Sequence, residues 1–111
     1  MIKNNWNLNN YQRQAKETAI YPENSKIVYP ALGLAGEAGE VADKVKKTIR
    51  DGRNDAEYYN QIAKELGDVL WYCAVLADDL GYSLQQIAEM NVYKLQSRKV
   101  MGTISGDGDD R

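Results

Sequence analysis

Four acids stand in a repeated spacing. Glu37 and Glu40 lie in GEAGEV, residues 36–41, and Glu65 and Asp68 lie in KELGDV, residues 64–69. Each stretch reads acid, any residue, glycine, acid, valine. Acids at i and i+3 of a helix share one face and can converge on a single ion. Four carboxylates in one cleft would repel and lose hydration, so they would protonate or splay apart. A hard divalent cation removes that conflict, because it prefers carboxylate oxygens. A single E-x-x-E pair is ordinarily a solvated charged face; the phased recurrence is what argues for a site. Histidine is absent from the chain. That excludes a Ser-His-Asp nucleophile, histidine-ligated zinc and Glu-x-x-His di-iron sites. The metal that fits is oxygen-held, Mg²⁺ or, as a substitute, Mn²⁺.

Such acids need helices to carry them. Asn7 is an N-cap for a first helix over 7–19, with Leu8, Tyr11, Ala15 and Ala19 on one side. Tyr21-Pro22-Glu23-Asn24 ends it. A second helix begins near Pro30, a residue suited to a first turn, and runs to about Arg50. Its basic residues Lys44, Lys46, Lys47 and Arg50 gather where the helix dipole favours them, and Asp51-Gly52 stops it. Asn54 with Glu57 resembles a capping box for a third helix over about 56–80, which Gly81 ends. Ser83 with Gln86 is a cleaner box for a fourth, about 83–99. No segment alternates like a strand. The expected fold is all-α, a four-helix bundle-like subunit occupying residues 1–101, followed by a Gly/Asp-rich tail, 102–111, that reads as mobile when alone.

Helical phasing places the acids. On the third helix Ile62, Leu66, Val69, Cys73, Leu76 and Leu80 form one apolar stripe within about 40° of a common direction, and Glu65, Asp68 and Tyr72 flank it. On the second, Leu34, Ala38, Val41 and Val45 form the stripe, and Glu37, Glu40 and Lys44 flank it on the same side. If the stripes pack together, both acid pairs reach the edge of one seam. Gly39 and Gly67 sit inside helices, where each costs about 1 kcal/mol against alanine. Close helix packing or backbone approach by a ligand would account for them. Trp71 lies nearly opposite the stripe, near Gly67, Ala74 and Asp78, a surface that suggests a helix contact between chains.

Composition sets the outer bounds. The chain has 111 residues, 43% apolar, with eight Tyr and no Phe, enough for one domain with a lean core. A net charge of −2 argues against nucleic acid or an anionic membrane as the main partner. The lone cysteine, Cys73, reads as a small buried hydrophobe. With neither a membrane-length apolar run nor a signal-peptide core in MIKNNWNLNN, the expectation is a soluble cytoplasmic protein.

The chain resembles the MazG-like family of all-α nucleoside triphosphate pyrophosphohydrolases. The resemblance rests on Gly36-Glu37-Ala38-Gly39-Glu40-Val41, on Glu65-Leu66-Gly67-Asp68-Val69-Leu70, and on Asn91-Val92-Tyr93-Lys94-Leu95-Gln96-Ser97-Arg98. It spans about residues 8–99. Many members have a further Glu just before the first motif acid, where this chain has Gly36; that departure bears on subgroup and metal count. The short chain and the GTISGDGDDR ending look most like compact phage versions. The resemblance implies Mg²⁺-dependent cleavage between the α and β phosphates of a nucleotide, with a deoxynucleotide the favoured guess. Glu37, Glu40, Glu65 and Asp68 would then be metal ligands, with a general-base role for one of them as the alternative. Family members are dimers, or tetramers built from dimers, with sites drawn from more than one chain, so a homodimer or homotetramer is implied.

Lys94 and Arg98, four apart on one helix face, can meet phosphates as a point charge and a fork. Asn91 shares that side and suits phosphate or sugar. Lys44 either neutralises pyrophosphate or salt-bridges. Tyr72, one turn beyond Asp68, stacks on the base by family position, or else is a tyrosine at the core edge. Trp6, Tyr11 and Gln12 could approach the base from their own or another chain. The competing reading is a non-catalytic helical oligomer that binds nucleotide or protein through the same cleft; a complete four-acid set favours the enzyme.

Overall fold

A computed structural model describes residues 5–109. The first four residues of the N-terminal stretch and the last two of the tail lie outside the described residues. Four α-helices account for most of the chain: α1 Leu8–Glu17, α2 Val28–Asp51, α3 Ala56–Asp79 and α4 Leu84–Met101. A 3-10 turn, Glu23–Ser25, lies between α1 and α2, and no strand occurs among the described residues. The protein is therefore all-α. No helix among the described residues is long and apolar enough to cross a membrane.

Local chemistry explains the boundaries. Asn7 caps α1 by accepting the Asn10 N–H, and Asn10 returns the bond. Ser83 and Gln86 form the same reciprocal box at α4. The cap of α3 is Asp55, which accepts the Tyr58 N–H at 2.8 Å, rather than Asn54. Asn54 instead accepts a hydrogen bond from the Tyr59 hydroxyl. Gly52 and Gly102 close α2 and α4 in the left-handed region that glycine adopts without penalty. Helix α1 ends at Glu17, two residues short of expectation, and Ala19 packs on the core from beyond its end.

The entry to α2 is strained. Ile27 has φ 70° and ψ −56°, and Val28 N–H reaches back to the Lys26 carbonyl at 2.7 Å. This is a γ-turn at a β-branched residue, a conformation that persists only when its surroundings hold it. Asp79 does so: its Oδ2 accepts the Ile27 N–H at 2.9 Å and the Tyr21 hydroxyl at 2.8 Å. Tyr21 in turn stacks on Tyr29 in the first turn of α2, ring centroids 4.9 Å apart.

Helices α2 and α3 form an antiparallel hairpin, the most extensive helix pairing in the chain. Successive cross-links run along it: Thr48 to the Tyr58 hydroxyl at 2.8 Å, Lys44 to Glu65 at 3.7 Å, Glu37 to Glu65 and Asp68, and Gly33 to the Tyr72 ring. The seam thus takes in the acid-bearing faces together with part of each apolar stripe: Leu34 and Val41 of α2 and Ile62, Val69, Cys73 and Leu76 of α3 are partly buried. Ala38 and Val45 of the α2 stripe are exposed, as are Leu66 and Leu80 of the α3 stripe. The hydroxyl link at the short loop and the glycine–ring contact at the far end together fix this rotation.

The buried cluster lies instead where α1 crosses α3 and α4 begins: Ala15, Ala74, Val75 and Leu84, with Leu8, Tyr11, Trp71, Tyr72 and Cys73 packed against it. Gln12 is buried there. Its amide donates to the Ala74 and Tyr82 carbonyls at 3.0 and 3.1 Å and accepts the Leu84 N–H at 3.0 Å. Trp71 is partly buried within the single chain. Its indole N–H donates to Thr18 Oγ1 at 2.8 Å, because the end of α1 lies over that face of α3. The Cα radius of gyration is 16.7 Å, against about 13 Å for a compact chain of this length.

Beyond α4 the tail returns along the helix. Thr103 N–H caps the Arg98 carbonyl at 2.8 Å, and the Arg98 guanidinium donates to the Gly108 and Asp109 carbonyls at 3.2 and 2.8 Å.

Candidate active site

The hairpin brings three of the four predicted acids together. Carboxylate oxygens of Glu37, Glu65 and Asp68 all lie within 4.8 Å of one another. Glu37 and Glu65 are partly buried and Asp68 is exposed. Burial, and after it the charges of Asp68 and Glu65, push the Glu37 carboxyl above its usual 4.5. The cluster is therefore short of positive charge, and the cause is geometric: three like charges are held on facing helices. An all-oxygen donor set under that repulsion fits a hard divalent cation.

Glu40 stands one turn further along α2. It lines the adjoining polar cleft with Asp43, Lys44, Lys47 and Thr48. Lys44 pairs with Glu65 at 3.7 Å and offsets part of the cluster's charge. Of the two roles open to Lys44, the salt bridge is the one seen in the free chain.

On the opposite side, Glu37, Asp68, Trp71 and Tyr72 line a cleft of about 270 Å³. Tyr72 and Trp71 meet edge to face, 4.9 Å between centroids at 86°. Burial raises the Tyr72 phenol above 10.0, with the Tyr29 and Glu37 charges adding to it. Tyr11 feels the same site: burial, then the Asp68 charge, raises its phenol. Trp6 packs edge-on against Tyr11 at 6.1 Å. Trp71 and Tyr72 of α3 are the two aromatics that line the cleft with Glu37 and Asp68. Gln12, one residue from Tyr11, faces the core, with both donor hydrogens used in the fold.

The α4 residues are placed elsewhere. Asn91 and Lys94 line a groove with Ile87 and Met90, separate from the cleft of Glu37 and Asp68. Lys94 Nζ pairs with Asp109 at 3.0 Å, and Arg98 pairs with the same carboxylate at 3.4 Å. Within one chain these cations are joined to the tail, not to the acids.

Trp71 lines the cleft but was not among the residues expected there. It follows Asp68 by three, so a one-turn step from the acid would have found it. Gly33 was not singled out at all. A Cβ built there would fall within the Tyr72 ring, 2.7 Å from Cδ1 and closer still to Cε1 and Cζ. Gly36, Gly39 and Gly67 differ: a Cβ at any of them meets nothing within 4 Å, so packing inside one chain does not require them.

A model of the MazG nucleotide pyrophosphohydrolase domain matches residues 30–101, a span that holds all four acids together with Asn91, Lys94 and Arg98. The chain is also similar to the Gene 37 protein of Mycobacterium phage L5, with 46% identity over 109 residues, covering 91% of this chain and 96% of that protein. No solved structure gives a significant match.

Proposed function

The chain belongs to the MazG nucleotide pyrophosphohydrolase family, and from that premise we propose that it hydrolyses nucleoside triphosphates, deoxynucleotides foremost, between the α and β phosphates. The products are a nucleoside monophosphate and pyrophosphate. The observation that carries this reading is the convergence of Glu37, Glu65 and Asp68 on facing helices, with Glu37 held above its ordinary pKa by its neighbours.

Glu37, Glu65 and Asp68 would hold Mg²⁺, with Mn²⁺ as a substitute, and Glu40 would join them from the next turn. When bound, the ion supplies the positive charge that lets a polyanion approach the acids. One of the acids orients the attacking water and takes its proton. Lys44 lies at the border of the acid cluster and the polar cleft, where it neutralises the departing pyrophosphate by releasing Glu65. Tyr72 stacks on the base, and Tyr11 and Trp6 border it. Gln12 is left to the fold.

Lys94, Arg98 and Asn91 reach phosphate through self-association, which supplies α4 of a second copy. Two features support an oligomer. The radius of gyration exceeds that of a compact chain. In addition, Val28, Ala31, Ala35, Ala38, Ala42, Val45 and Ile49 form a continuous exposed seam on α2. That alternating three-and-four spacing is what one helix presents to another, and small residues allow close approach. The hydrolytic domain is residues 1–101, with 102–111 appended to it. The enzyme acts on the nucleotide pool of the cytoplasm, the host's where the gene is carried by a phage.

Purified protein incubated with a panel of NTPs and dNTPs plus Mg²⁺ tests this directly, read by phosphorus NMR. Monophosphate and pyrophosphate in equal amounts are expected. Release of orthophosphate alone, or no cleavage of any nucleotide by protein that binds the metal, overturns the assignment.

A further inference from the structure

The geometry points to Gly33 as the positioning residue for Tyr72: the side chain missing from α2 makes the seat in which the phenol ring lies, and so sets the aromatic wall of the nucleotide cleft. This rests on the reading above that Tyr72 meets the base.

The inference comes from a contrast among glycines in one helical hairpin. Gly33, Gly36 and Gly39 are interior to α2, and Gly67 is interior to α3. Each is unfavourable to a helix by about 1 kcal/mol relative to alanine. At Gly36, Gly39 and Gly67 an added Cβ has open space around it. At Gly33 alone the space is taken, and it is taken by the ring of Tyr72 and by nothing else within the three nearest atoms. The obstruction is a side chain, not backbone, so a methyl group at 33 displaces the ring rather than parting the helices.

Displacement has a functional direction. Tyr72 shares its cleft with Glu37, Asp68 and Trp71. The ring is already held edge to face by the Trp71 indole, 4.9 Å away. A ring pushed off α2 therefore changes the wall that faces the acids and disturbs its contact with Trp71. The acids themselves stay on their helices, one turn or more from Gly33. The expected signature is a change in nucleotide affinity without a matching change in the chemical step.

The test uses Gly33→Ala, Tyr72→Ala and the double variant in the full chain, with Trp6→Phe added only for the emission measurement so that Trp71 is the sole indole there. Gly33→Ala should raise KM for the preferred nucleotide about tenfold, the scale of one base–aromatic contact, with kcat held within about twofold. In the Tyr72→Ala background it should add nothing, because the ring it acts through is gone. Trp71 emission in the absence of nucleotide should shift on Gly33→Ala and not shift further in the double variant. Unchanged KM and unchanged emission in a folded Gly33→Ala protein overturn the proposal, as does an equal KM cost in the Tyr72→Ala background. If Gly33→Ala does not fold, the double variant decides: folding restored by removing the ring supports the seat, and a double variant that is also unfolded overturns it. A parent protein that cleaves no nucleotide sinks the hydrolase reading itself, a result distinct from cleavage with an unaltered KM.

Discussion

Lys94 and Asp109 are joined across fifteen residues, Nζ to Oδ1 at 3.0 Å, and Arg98 shares the same carboxylate. The tail thus covers both cations that the hydrolase reading assigns to phosphate. Asp109→Asn should weaken that cover and lower KM for a triphosphate by roughly threefold at low salt, an effect that fades at high salt because the pair is exposed. Hydrogen bonds and charge from Lys94 and Arg98 hold the Asp109 carboxyl below its usual 3.8. The clasp is therefore intact above pH 3.8 and is lost as pH falls through the lowered value, so assays near neutrality see it fully formed. Steady-state kinetics in two salt concentrations check this; a KM indifferent to Asp109→Asn would show that the tail does not compete.

Cation and proton should compete for the acid cluster. The Glu37 carboxyl is raised above 4.5, so its protonated form favours folding below that value, and this contribution disappears as pH rises through the raised one. Without divalent metal, stability should decline over that window; with Mg²⁺ at about 100 times its Kd, the melting temperature at neutral pH should rise by about 10 °C. Asp68→Asn should abolish the Mg²⁺-dependent rise while leaving the helical spectrum intact. Calorimetric melts at two pH values, with and without Mg²⁺, provide the measurement.

Gln12→Ala should unfold more readily by about 3 kcal/mol, because it leaves buried partners at Tyr82 and Leu84 unsatisfied. At temperatures where the variant is folded, its KM should stay within about twofold of the parent value, since the amide serves the core and not the cleft. Urea titration and kinetics on the same sample separate the two effects. A large KM change in stable protein would return Gln12 to the binding site.

Ala42→Glu should prevent the self-association proposed for the α2 seam. Ala42 lies on the exposed α2 seam, away from the face that carries Glu37 and Lys44. A charge buried there costs far more in a helix-to-helix contact than on an open surface. Sedimentation should show a smaller species, and turnover should fall with it if α4 of a second copy completes the site. A dimer that survives the substitution would place the interface elsewhere.

The parts legible in the sequence were those whose causes are local. The boxes at Asn7 and Ser83, Pro30 in the first turn of α2 and the stop at Gly52 need only neighbours within a turn, and helix existence followed from them. The meeting of Glu37, Glu65 and Asp68 was legible because their spacing matches the helical period on both elements. What was not legible depended on which face each helix offers its partner. The apolar stripes looked like the whole seam, yet Ala38, Val45, Leu66 and Leu80 are exposed, and Thr48 with Tyr58 at one end and Gly33 with Tyr72 at the other turn the hairpin further toward its acids. The reason for Gly33 lies in a ring on another helix, and Trp71 found its partner in Thr18; neither leaves a mark at its own position.

The three converging acids, with Lys44 beside them, all belong to one helical hairpin, residues 28–79. The acid cluster is thereby a property of one hairpin: two helices and the short loop between them set its spacing, and neither the turn at Ile27 nor the tail supplies an atom to it. A change in those outer segments alters what can reach the acids before it alters the distances among them.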